Sequence, residues 1–479
     1  MDLVYESLFI GGEWVAPSSS RTIEVVSAST EELIGRVPEA VEADIDAAVA
    51  SARAAFDDRS GWASWEPAAR AEVLERLAGA LDARSEEIAR RVSAQNGMPI
   101  RVSNELEAHT PQGVLRYYAG LIRGAVLDDV RDGLLGGRVR VRRTPVGVVG
   151  AIVPWNFPMT LASLKLAPAL AVGCTIVLKP SPETVLDAQL LAEAVAEAGF
   201  PPGVVSIVQG GREAGAHLVS HPGVNKVAFT GSTAAGRQIA ETCGRLLRPV
   251  TLELGGKSAA IVLDDADLGA NLENLFDATL LNNGQTCYLG TRILAPASRY
   301  AEIVDTLTGF VSALTVGDAL DPATQIGPVA SARQRARVEG YIAKGIGDGA
   351  RLTTGGGRPA RLDRGWFVEP TVFADVDNKS TIAQEEIFGP VLSVISYSDV
   401  DDAVRIANDS AFGLGGSVWT ADPERGAAVA ARVQTGTIGV NAYRPDPIAP
   451  FGGVKDSGLG RELGPEALHA YQTVQSIYL

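Results

Sequence analysis

The chain has 479 residues, a length that suits two or three domains with sizeable cores. Its 42 Lys and Arg against 57 Asp and Glu leave a formal net charge of −15, which argues against nucleic acid or an anionic membrane as partner, since both select clustered positive charge. With 46% hydrophobic and 21% charged residues the composition is globular, and three cysteines without a CxxC pair fit no disulfide scaffold.

The N-terminal run MDLVYESLFIGGEW carries early acids and no basic n-region, which argues against a secretory signal and, with the sparse cysteines, for a reducing cytoplasm. From Asp44 to Arg123 the chain is rich in Ala, Leu, Arg and Glu, and apolar residues recur at helical spacing across Ala71–Val92. This stretch is expected to cover a sheet face. Gly137–Thr144 alternates valine with arginine as a period-two strand, and Thr473–Leu479 ends the chain in similar fashion. Both are expected to be added edges, either paired with another subunit or forming a surface hairpin. The uncharged run Thr144–Leu164 has the length of a membrane span, but its prolines, glycines and Asn156 favour strand, turn and helix.

Between Val146 and Leu254 apolar strands and helices alternate. The strands are expected at Gly147–Val153, Cys174–Leu178, Val204–Val208, Lys226–Phe229 and Val250–Leu254. The helices between them are expected at Thr160–Val172, Val185–Ala198, Ala214–Val219 and Ala234–Cys243. Such alternation predicts a parallel sheet covered on both faces, with ligands outside the carboxyl ends of its strands. A second alternating block starts at Lys257, with strands at Ser258–Leu263, Thr291–Ala295, Val391–Ser396, Gly416–Trp419 and Thr437–Asn441, and a glycine-rich loop at Gly355–Gly357. The fold class is therefore α/β, with a Rossmann-like parallel sheet, a second α/β domain and a small β element.

Phe229-Thr230-Gly231-Ser232-Thr233 ends a strand and opens a helix, where free N–H groups and the dipole suit a pyrophosphate. Arg237-Gln238 stand where a Walker motif needs Lys-Ser/Thr, which argues against NTP hydrolysis. Glu253, 17 residues past Gly236 at a strand end, fits either a ribose-binding acid or a catalytic base. Cys174 and Cys243 sit in apolar or helical settings and suit core packing, whereas Cys287 follows the small and polar Asn282-Asn283-Gly284-Gln285-Thr286. The close pair His217 and His221 lacks the Glu of H-E-x-x-H, and no metal site is expected there.

Six motifs occur in order: Pro154-Trp155-Asn156-Phe157-Pro158, Phe229-Thr230-Gly231-Ser232, Leu252-Glu253-Leu254-Gly255-Gly256-Lys257-Ser258, the Cys287 segment, Glu385-Glu386-Ile387-Phe388-Gly389-Pro390, and Pro450-Phe451-Gly452-Gly453-Val454-Lys455 running on to Glu462. In these the chain resembles the aldehyde dehydrogenase superfamily over nearly its whole length. The resemblance implies oxidation of an aldehyde to the carboxylic acid with NAD, with NADP open, through a thiohemiacetal and thioester on Cys287. Asn156 would hold the oxyanion, and Glu253 would activate the hydrolytic water. That glutamate favours hydrolysis over the CoA-acylating alternative; a non-redox cysteine hydrolase or a non-catalytic nucleotide-binding protein are further readings. Lys165 and Glu462 match proton-relay positions, or else form a surface ion pair.

The resemblance further implies cofactor contacts from Trp155, Lys179, Gly231, Ser232, Leu254, Glu386 and Phe388. Pro182 stands where many NAD-preferring relatives carry a glutamate, and Glu183 is next to it. An aldehyde tunnel is expected around Phe157, Leu161, Leu164, Tyr288 and Phe451, with Arg444 either receiving a substrate carboxylate or solvated. The implied domains are 1–123 with 145–255 for the dinucleotide, 256–455 for catalysis, and 124–144 with 465–479 for assembly as a homodimer or homotetramer. The expected partner is a small aldehyde, with neither nucleic acid nor membrane.

Overall fold

The computed structural model describes residues 3–479. Its first large sheet has eight strands in the spatial order Gly458–Leu459, Val250–Glu253, Lys226–Thr230, Val148–Ile152, Thr175–Lys179, Val205–Ile207, Leu8–Ile10, Glu13–Val15. The five central strands are parallel and the outer three antiparallel. Four of those five central strands are buried along their whole length, which is why they read as unbroken apolar or β-branched runs. The chain runs from Val148–Ile152 outward in one direction, then returns to lay Lys226–Thr230 on its other side. The switch point therefore lies between those two strands, where such sheets bind ligands.

Helices Pro67–Asp82, Thr110–Arg123, Pro158–Val172 and Leu186–Ala198 pack together against this sheet and form the largest core. Pro158–Val172 starts on a proline at the position where a missing N–H costs nothing and stops at Gly173 (φ +102°). It is apolar nearly all round because it is buried nearly all round.

The second sheet has seven strands in the order Arg351–Thr354, Thr371–Ala374, Val391–Tyr397, Arg292–Pro296, Ala259–Val262, Gly416–Trp419, Gly439–Val440, all parallel except the first. Gly458–Leu459 belongs to the first sheet, so the chain crosses back after the second is complete. A three-stranded antiparallel sheet joins Asp128–Asp132, Arg138–Pro145 and Gln472–Tyr478. The two strands expected as added edges thus pair with each other.

Several expected elements shift by a residue or two at their ends, and Cys174 lies just before its strand. The Asp44–Arg123 region is five α-helices and a short 3₁₀ turn. Sequence patterning did not mark the sheet of Leu3–Val4, Thr22–Val26 and Leu33–Pro38, nor the helices Tyr300–Ser312 and Ala332–Gly347. No helix among the described residues is long and apolar enough to cross a membrane.

Candidate active site

At the switch point, Val153-Pro154-Trp155-Asn156 leaves one strand and Gly231-Ser232 leaves its neighbour. Here a cleft of about 410 Å³ is lined by Trp155, Asn156, Gly231, Ser232, Leu254 and Cys287, with Glu386 and Phe388 opposite. Ser232 caps the helix Thr233–Arg245, its hydroxyl accepting the Ala235 N–H at 3.3 Å. The N–H groups of that first turn have no partner inside the helix. They form an anion-binding end to the cleft.

Cys287 sits at the other end. Before it, Asn282 and Asn283 take left-handed backbone (φ 52° and 61°), a conformation asparagine tolerates better than most residues. Their side chains hold that turn: Asn283 Nδ2 donates to the carbonyls of Gly97 (2.8 Å) and Pro328 (2.9 Å). Asn282 Nδ2 donates to the Asn156 carbonyl at 2.9 Å, tying the cysteine segment to the loop that carries Asn156. Asn96 donates to the Trp155 carbonyl from behind. Asn156 itself is buried, and its Nδ2 donates one proton to the Gln285 carbonyl at 3.0 Å. Its second Nδ2 proton has no partner within the protein, and Asn156 lines the same cleft as Cys287.

Glu253 lies behind the cleft, 3% exposed, with both carboxylate oxygens unpartnered. A Cβ on Gly452 would stand 2.6 Å from its Oε1, and the φ of +151° at Gly452 favours glycine there. Burial first, then the nearby Glu462, pushes its pKa well above the ordinary carboxylate range, against the pull of Lys165 and Arg461. Lys165 Nζ donates to Glu462 Oε1 and to Thr230 Oγ1, both at 2.6 Å. That pair is fully buried, so it is not the surface bridge considered from sequence. Removing one partner of such a pair strands the other charge. Lys165→Met is therefore expected to lower stability by about 3 kcal/mol, read as a shift in the denaturant midpoint at unchanged slope.

The Cys287 thiol is held up in pKa by burial first, then by the Glu386 and Glu253 carboxylates. Burial likewise raises Glu386 to about 7, although it accepts the Gly256 N–H at 3.0 Å. Trp155 and Phe388 meet edge to face, with ring centroids 5.3 Å apart. The helix Ala332–Gly347 adds Arg333, Gln334 and Arg337 to the cleft, none of them singled out from sequence. Gln334 Nε2 donates to the Phe388 carbonyl at 2.7 Å, and Arg337 donates to the Glu386 carbonyl, so this helix fixes the Glu386–Phe388 segment. No local motif marks these residues; only the fold brings them here.

Lys179 is the one expected cofactor residue that does not line the cleft. Its Nζ donates to the carbonyls of Pro180 (2.9 Å) and Gly210 (2.8 Å), and burial lowers its pKa to about 8. Glu183 does reach the edge, accepting Arg333 Nη2 at 3.1 Å and the Ser181 hydroxyl at 2.5 Å.

Beside Cys287, Tyr288 opens onto a second cavity of about 260 Å³, shared with Leu281, Leu106 and Tyr443. Phe157, Leu164 and Phe451 are instead buried in the core against which Cys287, Tyr288 and Leu161 pack. Arg444 stays solvated, with 63% of its side chain exposed, while it pairs with Glu105 at 3.2 Å and with Asp277.

The family model "Aldehyde dehydrogenase family" matches residues 14–477. The chain belongs to the aldehyde dehydrogenase family. Members of this family oxidise aldehydes to acids, and this chain is such an enzyme. It is 58% identical to geranial dehydrogenase of Castellaniella defragrans over 100% of both chains. A Mycobacterium tuberculosis aldehyde dehydrogenase complexed with NAD+ superposes with a TM-score of 0.98 at 51% identity, covering 100% of this chain and 99% of that one. A cysteine-to-alanine variant of Pseudomonas syringae aldehyde dehydrogenase C, complexed with NAD+ and octanal, superposes with a TM-score of 0.95 at 38% identity, covering 99% and 96%.

Away from this dehydrogenase site, Asp46, His217 and His221 come together. His221 follows the helix that carries His217, so the two do not share its face. His221 Nδ1 accepts the Gly223 N–H at 3.0 Å, which leaves Nε2 protonated and 3.3 Å from Asp46 Oδ1. In that tautomer the ring has no lone pair aimed at the cluster.

Proposed function

We propose that this chain oxidises neutral, apolar aldehydes with NAD+, using Cys287 as nucleophile, Asn156 as oxyanion donor and Glu253 as the base that frees the acid. The reading is carried by the meeting of the Cys287 thiol and the Asn156 amide in one cleft whose far end is a helix N-terminus. A dinucleotide fits that cleft by its chemistry. The Ser232 helix end and Arg337 suit the pyrophosphate, Glu386 suits a ribose hydroxyl, and Trp155 with Phe388 flank a flat ring. When bound, the nicotinamide supplies the hydride acceptor.

The chain's own part is covalent catalysis. Cys287 Sγ gives up its proton to solvent in the cleft and bonds the aldehyde carbon, and the carbonyl oxygen becomes an oxyanion. Asn156 Nδ2 and the Cys287 backbone N–H donate to that oxygen. Loss of hydride from the carbon leaves a thioester on Sγ. Glu253 takes a proton from water, the hydroxide adds to the thioester carbon, and the acid departs with Sγ restored. The buried Lys165–Glu462 pair lies beside Glu253 as a sink for the proton.

Val102, Leu106, Leu281, Tyr288 and Tyr443 give the cavity beyond Tyr288 an apolar part beside its charged residues, which suits apolar aldehydes such as those named for the relatives, geranial and octanal. In this reading residues 1–123 and 145–255 bind the dinucleotide and 256–455 supply the nucleophile. Residues 124–144 and 465–479 would serve assembly into a homodimer or homotetramer, a role suited to a small sheet with two unpaired edges and exposed Val474 and Tyr478.

The test is NADH formation over a panel of terpenoid, straight-chain and aromatic aldehydes, with NADP+ in parallel. Turnover of the apolar members with NAD+ supports the reading; no turnover of any member rejects it. Asn156→Ala is expected to lower kcat by roughly 10²- to 10³-fold while NAD+ binding persists, as loss of one oxyanion donor does elsewhere. Stopped-flow NADH formation together with calorimetric NAD+ titration checks both halves.

A further inference from the structure

The mouth of the cavity beyond Tyr288 is ringed by charge. Glu105 comes from the helix Ile100–Leu106, Glu273 and Asp277 from the helix Leu272–Thr279, and Arg101 and Arg444 from either side. Two guanidiniums against three carboxylates leave one negative charge in excess at the entrance. The cation nearest the aromatic wall is already committed. Arg444 spans the opening from one helix to the other, its Nη1 3.2 Å from Glu105 Oε1 and its Nη2 bonded to Asp277 Oδ2. Asp277 is the more sheltered partner, with 16% of its side chain exposed. Arg444 and Glu105 remain 63% and 60% exposed, and a guanidinium already flanked by two carboxylates carries no net positive charge to draw in a third.

We infer that Glu105 and Asp277 are specificity-determining residues: by neutralising Arg444 they give the entrance a negative field that turns away aldehydes carrying a carboxylate and admits neutral ones. This deepens the proposed function and rests on it. A repulsion located at the entrance acts on the encounter, so it raises KM for the anion more than it lowers kcat. It is also screened by salt.

The experiment compares succinic semialdehyde with its methyl ester, which has the same chain without the charge, at low and high ionic strength. For the unmodified enzyme kcat/KM is expected to favour the ester by roughly tenfold at low salt, the size of one unit charge met at a distance of several ångströms. Most of the difference should lie in KM, and it should shrink as salt rises. In the Glu105→Gln/Asp277→Asn variant the released Arg444 is expected to narrow or invert the ratio. Should that variant fold poorly, the salt dependence of the unmodified enzyme decides alone. A ratio near one with no salt dependence overturns the inference and leaves the proposed function standing, because the ester is still oxidised. An ester left unoxidised while other neutral aldehydes turn over overturns the inference alone, and no turnover of any aldehyde overturns both.

Discussion

Replacing Cys287 by alanine is expected to abolish NADH formation from every aldehyde, lowering kcat by at least roughly 10⁴-fold, as removal of a covalent nucleophile does in other enzymes. Dinucleotide binding should persist, because Trp155, Ser232, Arg337, Glu386 and Phe388 still line the cleft. No substitute nucleophile stands nearby: Cys174 and Cys243 are both fully buried within the packed core of the first sheet. Paired measurements, turnover by absorbance and NAD+ affinity by calorimetry, separate this from a loss of folding. A purely nucleotide-binding protein would show no turnover before the substitution either. A non-redox hydrolase would release acid from esters without NAD+.

The same thiol makes a pH-dependent expectation. Burial and the Glu386 and Glu253 carboxylates raise its pKa, so the protonated form dominates at neutral pH without ligand. Below that pKa the thiolate fraction grows about tenfold per pH unit. Alkylation of Cys287 by iodoacetamide should therefore be slow near pH 7 and steepen with alkali. A rate already at its plateau at pH 7 would mean that the surrounding carboxylates do not bear on the thiol.

The first sheet could be read from sequence because its strands are buried end to end and its helices alternate with them in short periods. Some of the elements that escaped have identifiable physical causes. Leu3–Val4 and Gly458–Leu459 are two residues long and too short for any period. The helix Ala332–Gly347 buries only Val338, Ile342 and Gly345, so its arginine-rich outer face hid the apolar stripe. That helix carries Arg333, Gln334 and Arg337, and hence the support of Glu386 and Phe388 escaped with it. Motif resemblance named Cys287, Asn156 and Glu253. It named Lys165 and Glu462 as a proton relay or a surface ion pair but gave no view of the burial of that bond, whose partners are 297 residues apart, nor of Arg444 being tied at both ends. Nor did it show that Lys179, the matched motif lysine, spends two of its three ammonium protons on the carbonyls of Pro180 and Gly210.

Glu253→Gln separates the two halves of the reaction. The variant keeps the shape of a side chain packed against Gly452 but cannot accept a proton from water. Steady-state turnover is expected to fall by roughly 10²- to 10⁴-fold, the range for loss of a general base. The first turnover should survive as a burst of NADH approaching one equivalent per active site, with an acyl adduct on Cys287 visible by mass spectrometry. The pH profile supplies a second reading. A base works only when ionised, and burial with the neighbouring Glu462 holds Glu253 protonated to a higher pH than an ordinary carboxylate. In the unmodified enzyme deacylation should therefore rise with pH through that elevated pKa, and the rising limb should vanish in the glutamine variant. Added CoA should not accelerate product release in the unmodified enzyme if water is the acceptor. A glutamine variant with full steady-state turnover, no burst and the same pH limb would move the hydrolytic role to another group, and Glu462, whose Oε2 is also buried without a partner, is the next carboxylate in line.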